Sequence, residues 1–378
     1  MSTRGSLPSH EDLRFAVATM TEVFVNPARI HGPEVPRSTA PLDFHRRLDG
    51  YAPSRLVDGS ALAGALDLDD LVIKDESSRL GLPSFKILGA SWATYRLLTE
   101  RLGREPEWSS MAELRTALAP LGALALVAAT DGNHGRAVAR VARWLGYGCT
   151  IFVPDGTAQA RIDGIASEGA TVHVVDGTYD DAVAASAALA DDRVLVVSDT
   201  SWEGYIDVPA WVIEGYSTIF AEADEQLAGA AIDTVVVQMG VGALTAAVAD
   251  HFAASARVIA VEPVSAACGM ASARAGAPAE VPGPHHSIMA GLNCGNVSPV
   301  AWPRVAAGVD LFVAVEDAEA EQAMRDLASV GVIAGETGGA GLAGLRAAHT
   351  AGHDIGRSAL VLCTEGATDP AAYARIVG

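Results

Sequence analysis

The sequence has few positively charged residues and no long apolar stretch. Lysine and arginine together number 26 against 46 aspartate and glutamate residues, so the formal net charge is -20 at pH 7. Nucleic acids and anionic membranes bind proteins through basic surfaces, so we expect neither as a partner. No run of about 18 apolar residues occurs, so the sequence predicts no membrane-spanning helix.

Cysteine and aromatic residues are also scarce. Aromatic residues make up 6% of the chain while glycines number 38, which favours closely packed helices on a parallel sheet over an all-β fold. The four cysteines have no metal-binding spacing, so we predict no metal, and Cys268 and Cys294 are expected to be buried thiols. The polar N-terminal segment, with Glu11 and Asp12, differs from a secretory signal, and we expect a cytoplasmic protein.

Lysine is almost absent, since only Lys74 and Lys86 among the 26 basic residues are lysines. Arginine replaces lysine readily on a solvated surface, but not where an amine must lose its proton and attack a carbonyl. Both lysines lie within one short segment of the chain. This bias indicates that the retained lysines have roles that arginine cannot fill.

What the sequence does contain is a regular alternation of short apolar runs and alanine-rich stretches with helical spacing. This alternation predicts βαβ units, in which helices cover both faces of parallel sheets. Nine strands are many for one sheet, so we predict an α/β fold with two subdomains, preceded by an N-terminal arm over residues 1–45. The predicted strands lie at 71–74, 123–129, 149–153, 171–175, 194–198, 234–239, 257–262, 311–315 and 359–363, and the helices between them include 136–146, 158–168, 180–190 and 317–329.

Lys86 ends the segment KDESSRLGLPSFK, which follows a predicted strand and leads into a helix predicted over residues 87–98. Ser84 is a suitable N-cap and would place the lysine in the first helical turn. A lysine that forms a Schiff base needs a lowered pKa and a fixed position, and a helix N-terminus disfavours its protonated form. The alternative is a solvated lysine on an amphipathic helix, but the scarcity of lysine favours the catalytic interpretation.

Three further turns each follow a predicted strand. The turn around Asn133 (DGNHG) lets backbone N–H groups converge on an anion such as a substrate carboxylate, and Asn133 could contact a cofactor ring oxygen. The glycine loop 240–243 exposes N–H groups and a helix N-terminus to a phosphate. Thr364 ends the last strand, where its hydroxyl could face a pyridine nitrogen. Each turn alone also fits an ordinary strand end, and a nucleotide-binding turn at 240–243 would lack a full GxGxxG motif.

Together and in this order, these motifs resemble the tryptophan-synthase-β-like (fold type II) pyridoxal-phosphate (PLP) enzymes. Within that group the chain is similar to the diaminopropionate ammonia-lyase family, from about residue 45 to the C-terminus. Two features distinguish this family from serine and threonine dehydratases. One is the segment 198–216, and the other is Asp131, at a position where those dehydratases usually have Ser. The matching motifs are KDESSRLGLPSFKILG (74–89), ATDGNHGRAVA (129–139), SDTSWEGYIDVPAWVIEGY (198–216), MAGLNCG (289–295), GETGGAG (335–341) and CTEGATDP (363–370).

The resemblance implies a set of roles around PLP. Lys86 would hold the cofactor covalently and then serve as acid and base at Cα, Asn133 would bind the ring O3′, and Thr364 the pyridine nitrogen. Backbone N–H groups of residues 131–134 would hold the substrate carboxylate. The phosphate would be bound by Gly240, Val241, Gly242 and Ala243, and the other predicted substrate contacts are Thr130, Gly132, His134, Trp202 and Tyr205.

Two aspartates complete the predicted catalytic set. Asp131 would repel a substrate carboxylate, so we predict that it binds a second ammonium or takes the α-proton on the face opposite Lys86. The alternative for Asp131 is a helix N-cap. Asp199, after a predicted strand, is expected to bind the β-ammonium of a diamine.

The resemblance implies α,β-elimination of D- or L-2,3-diaminopropionate, or of both, to pyruvate and two ammonia. It also implies a large PLP-binding subdomain (46–90 plus 203–378), a small mobile subdomain (91–202), twisted and mostly parallel sheets flanked by helices, and a homodimer. The alternatives are a serine/threonine-type dehydratase on the same fold, a non-catalytic PLP-binding relative, and a nucleotide-binding module.

Overall fold

The computed structural model describes residues 20–30, 37–130 and 132–378. These residues form two β-sheets with helices on their faces. The strands are β1 (Glu22–Val25), β2 (Arg55–Asp58), β3 (Asp70–Asp75), β4 (Ala125–Ala129), β5 (Gly148–Pro154), β6 (Thr171–Val175), β7 (Val194–Val196), β8 (Thr234–Gln238), β9 (Arg257–Pro263), β10 (Leu311–Val315) and β11 (Ser358–Cys363). The α-helices are α1 (Ala40–His45), α2 (Ser60–Ala63), α3 (Lys86–Leu102), α4 (Met111–Leu118), α5 (Asn133–Leu145), α6 (Gln159–Ala166), α7 (Tyr179–Ala187), α8 (Asp207–Leu227), α9 (Ala243–Phe252), α10 (Cys268–Ala275), α11 (Trp302–Gly308), α12 (Asp317–Ser329), α13 (Glu336–Thr350) and α14 (Pro370–Val377).

The larger sheet has seven strands in the order β1-β10-β9-β8-β11-β3-β2. Its five inner strands are parallel, while β1 and β2 pair antiparallel with β10 and β3 at the two edges. Alternate residues of an inner strand enter different cores, since Val235 and Val237 join one hydrophobic cluster and Val236 the other. Burial on both faces explains why these strands are continuously apolar.

The smaller sheet has four strands in the order β6-β5-β4-β7, all parallel. The loops after β4 and β7 leave this sheet at the carboxyl ends of its strands, as the loops after β8 and β11 do in the larger sheet. In open parallel sheets this edge is where ligands bind. The arrangement therefore brings the motifs at the four strand ends within reach of one cavity.

The predicted α/β fold with two sheets is confirmed, and each of the nine predicted strands is present with shifts of a few residues at its ends. The edge strands β1 and β2 were not predicted, because each has four residues and alternates little between apolar and polar. The division into subdomains at residues 90 and 203 stays a prediction. Part of the predicted arm, residues 1–19 and 31–36, lies outside the described residues.

Helix α3 begins at Lys86 and packs closely on α8. A Cβ on Gly89 would lie 2.5 Å from a ring carbon of Tyr216, and one on Gly215 would lie 2.7 Å from the carbonyl oxygen of Leu88, so glycine permits this approach. The assigned helix starts at Lys86, with Phe85 as the residue before it. The Ser84 hydroxyl accepts from the backbone N–H of Lys86 at 3.4 Å, which is the bond expected of the predicted N-cap, although the helix boundary lies one residue later. Within the described parts of the chain, no helix is both long and apolar enough to cross a bilayer.

Candidate active site

Lys86 and Asp199 form a close ion pair between the two sheets. Lys86 Nζ lies 2.7 Å from Asp199 Oδ2, and the side chain of Asp199 is only 6% exposed. Burial alone would raise the pKa of the Asp199 carboxyl, but the Lys86 ammonium outweighs this and holds that pKa well below its usual range. The pair therefore places a lysine amine and a fixed negative charge at one point of the molecule.

His134 lies beside this pair as a neutral ring. Its Nε2 is 2.8 Å from the carbonyl oxygen of Val197, and a carbonyl only accepts, so Nε2 carries the proton. Burial lowers the pKa of His134, which keeps the other ring nitrogen unprotonated. That nitrogen, Nδ1, is 3.8 Å from Asp199 Oδ2 and has no hydrogen-bond partner among the described residues.

A cavity opens at Lys86 and Asp199, and most of the predicted cofactor-binding residues line it. Asn133 comes from the start of α5, the glycine loop from the turn between β8 and α9, and Thr364 from the end of β11. The fold thus brings together residues from five separate predicted motifs. The predicted residues that line the cavity are Lys86, Asn133, Asp199, Gly240, Val241, Gly242, Ala243 and Thr364.

In the loop 240–243, a side chain at either glycine would be crowded or strained. A Cβ on Gly240 would lie 3.1 Å from the carbonyl oxygen of Gly291 and 3.3 Å from Cys294 Sγ. Gly242 has φ of +93°, in the left-handed region that favours glycine. The loop ends at Ala243, the first residue of α9, whose N-terminal N–H groups and helix dipole attract negative charge.

Thr364 supplies the observation that tests the site for PLP. Its hydroxyl oxygen is buried, and no described residue bonds to it, although Thr364 lines the cavity. A buried hydroxyl without a hydrogen-bond partner is uncommon because burying it unbonded costs free energy, and a ligand group that bonds to it removes this cost. A pyridine nitrogen would be such a group, the loop 240–243 would hold a phosphate, and Lys86 supplies the amine. The residues present therefore fit PLP.

The sequence did not single out Glu365 as a site residue, although it stands beside Thr364 in the CTEGATDP motif. The structure places its buried carboxylate in the cavity lining, where Oε2 accepts from Asn133 Nδ2 and Oε1 from the backbone N–H of Thr337 at 3.2 Å. Arg161 Nη2 lies 3.5 Å from Oε1. The sequence contains no signal for this role, because an acidic residue in a turn has many interpretations and the partners of Glu365 are distant in sequence.

Trp202 and Tyr205 were predicted to contact the substrate, but the structure places them at a different cavity, with Leu97 and Val208. Their rings stack on each other with centroids 4.2 Å apart. The Tyr205 hydroxyl accepts from the N–H of Ser198 at 3.0 Å and donates to a strand carbonyl. Tyr205 therefore holds the backbone at residues 196–198, next to Asp199.

The turn at residues 130–134 is described except for Asp131, and its predicted substrate contacts stay predictions. Thr130 is buried, and its hydroxyl accepts from the N–H of Gly132 at 2.9 Å, so it shapes the turn. Gly132 has φ of +151°, where a side chain is strained. Asp131 lies outside the described residues, and its role stays a prediction.

Elsewhere, Cys268 and Cys294 are both buried thiols, as expected.

Comparison with known proteins identifies the family of this chain. Residues 47–364 match the family of pyridoxal-phosphate dependent enzymes. The fold and the site thus define a PLP-dependent enzyme of fold type II. The chain is 35% identical over 359 residues to the diaminopropionate ammonia-lyase of Escherichia coli (strain K12), covering 88% of this chain and 89% of that protein.

A solved structure of the Escherichia coli enzyme, in complex with D-serine, aligns with a TM-score of 0.87 and 32% identity, over 94% of this chain and 96% of the other. The biosynthetic L-threonine dehydratase of Haemophilus influenzae is 29% identical over 229 residues, covering 59% of this chain and 43% of that protein. The chain belongs to the diaminopropionate ammonia-lyase family.

Proposed function

We propose that this protein eliminates ammonia from 2,3-diaminopropionate and, with one water, yields pyruvate and two ammonia. The observation that carries the proposal is the buried Asp199 carboxylate 2.7 Å from Lys86 Nζ, inside a cavity that fits PLP. PLP, when bound, supplies an electron sink that stabilises negative charge at the substrate Cα. The likeness to diaminopropionate ammonia-lyases along most of the chain supports the same substrate.

Lys86 is the base of the reaction. Its amine takes the proton from Cα, and the β-amino group, which is bound as an ammonium, leaves as ammonia without a further proton. The Cβ–N bond breaks as the double bond between Cα and Cβ forms, so the electron pair of the Cα–H bond becomes part of that double bond. The unsaturated amino acid that results hydrolyses to pyruvate and the second ammonia. For one substrate enantiomer, Asp131 is proposed to take the α-proton instead.

Asp199 selects a diamine over a hydroxy amino acid. While Lys86 is an ammonium, the buried carboxylate has a cationic partner. When Lys86 is a neutral amine, as it must be to take the Cα proton, the charge of Asp199 needs another partner, because an unpaired buried charge is costly. The β-ammonium of diaminopropionate supplies one, whereas the hydroxyl of serine or threonine brings no charge.

The remaining predicted contacts and the setting of the enzyme are also proposals. The N-terminal end of α9 and the loop 240–243 hold the cofactor phosphate, Asn133 its O3′, and Thr364 its pyridine nitrogen. Backbone N–H groups of residues 131–134 orient the substrate carboxylate. We propose a cytoplasmic homodimer. The family resemblance supports the dimer, and light scattering of the purified protein measures the oligomeric state.

The test is pyruvate release from D- and L-2,3-diaminopropionate, with D-serine, L-serine and L-threonine alongside. Rapid release from diaminopropionate, abolished by Lys86→Ala and impaired for the D-form by Asp131→Asn, is expected. Release from serine or threonine alone would make the protein a dehydratase on the same fold. Bound chromophore without turnover of any substrate would mean a non-catalytic PLP protein, and the absence of any chromophore would exclude PLP altogether.

A further inference from the structure

The carboxylate of Glu365 joins the two halves of the cofactor cavity. Glu365 follows β11 of the larger sheet, and its backbone bridges to Ser84, close to Lys86. Its side chain reaches Asn133 on α5 and Arg161 on α6, and both helices flank the smaller sheet. Its side chain is 1% exposed, so the contacts are made out of water, where hydrogen bonds to a charged group are strongest.

The chemistry of this contact fixes the orientation of the Asn133 amide. A carboxylate only accepts hydrogen bonds, so the atom of Asn133 that faces Glu365 Oε2 must be the NH2 group. One N–H bond of that group points to Glu365, which leaves the second N–H as a donor at the cavity wall. Without the carboxylate, the amide could rotate and present its carbonyl oxygen to the cavity instead.

Both oxygens of Glu365 are needed as acceptors at once. Oε2 accepts from Asn133, and Oε1 accepts from the backbone N–H of Thr337 at 3.2 Å with Arg161 nearby. A glutamine in this position has one oxygen and one NH2 group. Whichever way it turns, a donor of the glutamine would face a donor of the protein on one side.

We propose that Glu365 is a positioning residue that holds the Asn133 amide with its N–H donor directed at the cofactor ring oxygen. The inference rests on the proposed contact between Asn133 and PLP and is independent of the substrate. Glu365 acts through Asn133 and takes no part in proton transfer. Losing it weakens and reorients the contact to the ring oxygen, whose protonation governs the visible absorption of bound PLP.

The experiment uses the full-length chain with PLP and no substrate, so that a wrong substrate assignment does not affect it. The dissociation constant of PLP and the visible absorption spectrum of the complex are measured for wild type, Glu365→Gln, Asn133→Ala and the double variant. Glu365→Gln is expected to weaken PLP binding about tenfold and to shift the distribution between the absorption bands. Since the effect passes through Asn133, Glu365→Gln should add little to Asn133→Ala in the double variant.

Glu336→Gln is the matched control. This neighbouring carboxyl is also buried, and burial together with the nearby charge of Glu365 raises its pKa, but it does not line the cavity. Its spectrum should be that of wild type. Glu365→Asp, which keeps the charge but withdraws it by one methylene, should reproduce the spectral shift if the glutamine variant does not fold. A wild-type spectrum and affinity in the Glu365 variants, or fully additive effects in the double variant, would overturn the proposal.

Discussion

The two lysines of this chain lie in two buried ionic clusters that differ in how completely their charges are paired. Lys74 is fully buried, and its ammonium donates to Glu222 Oε2 at 2.9 Å, to Gln226 Oε1 at 2.8 Å and to the carbonyl oxygen of Ser54 at 3.1 Å. Its three N–H bonds are thus all used. Lys86 faces Asp199 at the wall of a cavity and keeps 22% of its side chain exposed.

This difference in charge pairing indicates a structural role for the Lys74 cluster and a functional role for the Lys86 pair. Arg79 bonds to both oxygens of Glu222 and to Glu76, so the cluster around Lys74 holds the loop that leads to Lys86 in one conformation. A saturated cluster leaves no room for a substrate and has a structural role. The Lys86 pair borders open space, so its partner can be exchanged. Arginine could not replace either lysine, since one site needs a compact tetrahedral donor and the other an amine that deprotonates.

The largest expected effect is on the Lys86 side of this comparison. Lys86→Ala should lower the rate of pyruvate release about 10,000-fold, because it removes both the covalent attachment and the base. Lys86→Arg is the matched control, since it keeps a cation beside Asp199 but cannot lose its proton. It should be equally inactive while its midpoint of urea unfolding stays near that of wild type. Substantial activity in Lys86→Arg would show that this lysine is not the base.

Substitution in the Lys74 cluster should instead lower stability and leave activity almost unchanged. Glu222→Gln is expected to lower the free energy of unfolding by about 3–5 kcal/mol, because it leaves Lys74 and Arg79 buried without their shared anion. The rate per folded molecule should change by no more than about twofold. Glu225→Gln on the same helix removes a half-exposed pair with Arg46 and should cost less than about 1 kcal/mol. Equal losses in the two variants, measured by urea unfolding, would contradict the difference in burial.

The pH dependence of unfolding sharpens the comparison further. Burial opposes the charge of Glu222, but Arg79 and Lys74 outweigh it and lower its pKa to about 2. A carboxyl with a lowered pKa stabilises the fold above its unfolded-state pKa, and this stabilisation is lost as pH falls toward the folded-state value. We therefore expect wild type to lose about 3 kcal/mol between about pH 4.5 and pH 2 that Glu222→Gln does not lose. Parallel acid-unfolding curves for the two proteins would rule this out.

The sequence pointed to residues that have a signature in their own motif and missed Glu365, whose side-chain contacts join separate motifs. The loop 240–243 and Thr364 follow strand ends, and Lys86 begins the helix after β3. Each has a local signature, and parallel strands bring these positions to one cavity. The contact of Glu365 with Asn133 joins turns 232 residues apart, and only the tertiary fold specifies it. Trp202 and Tyr205 are the opposite case. A distinctive motif led to the prediction that they contact the substrate, but their stacked rings line a different cavity.

The smallest predicted effect concerns the exchange of partners at Asp199. Glu222 keeps its cations permanently, whereas Asp199 must replace the Lys86 ammonium with a cation from the substrate once that lysine has lost its proton. Asp199→Asn should therefore lower the ratio of kcat/KM for diaminopropionate over serine about tenfold, mainly by slowing diaminopropionate. Glu203→Gln, an exposed carboxyl four residues further on, is the control and should leave the ratio unchanged. If Asp199→Asn slows both substrates equally, Asp199 serves the chemistry of Lys86 alone and does not select the diamine.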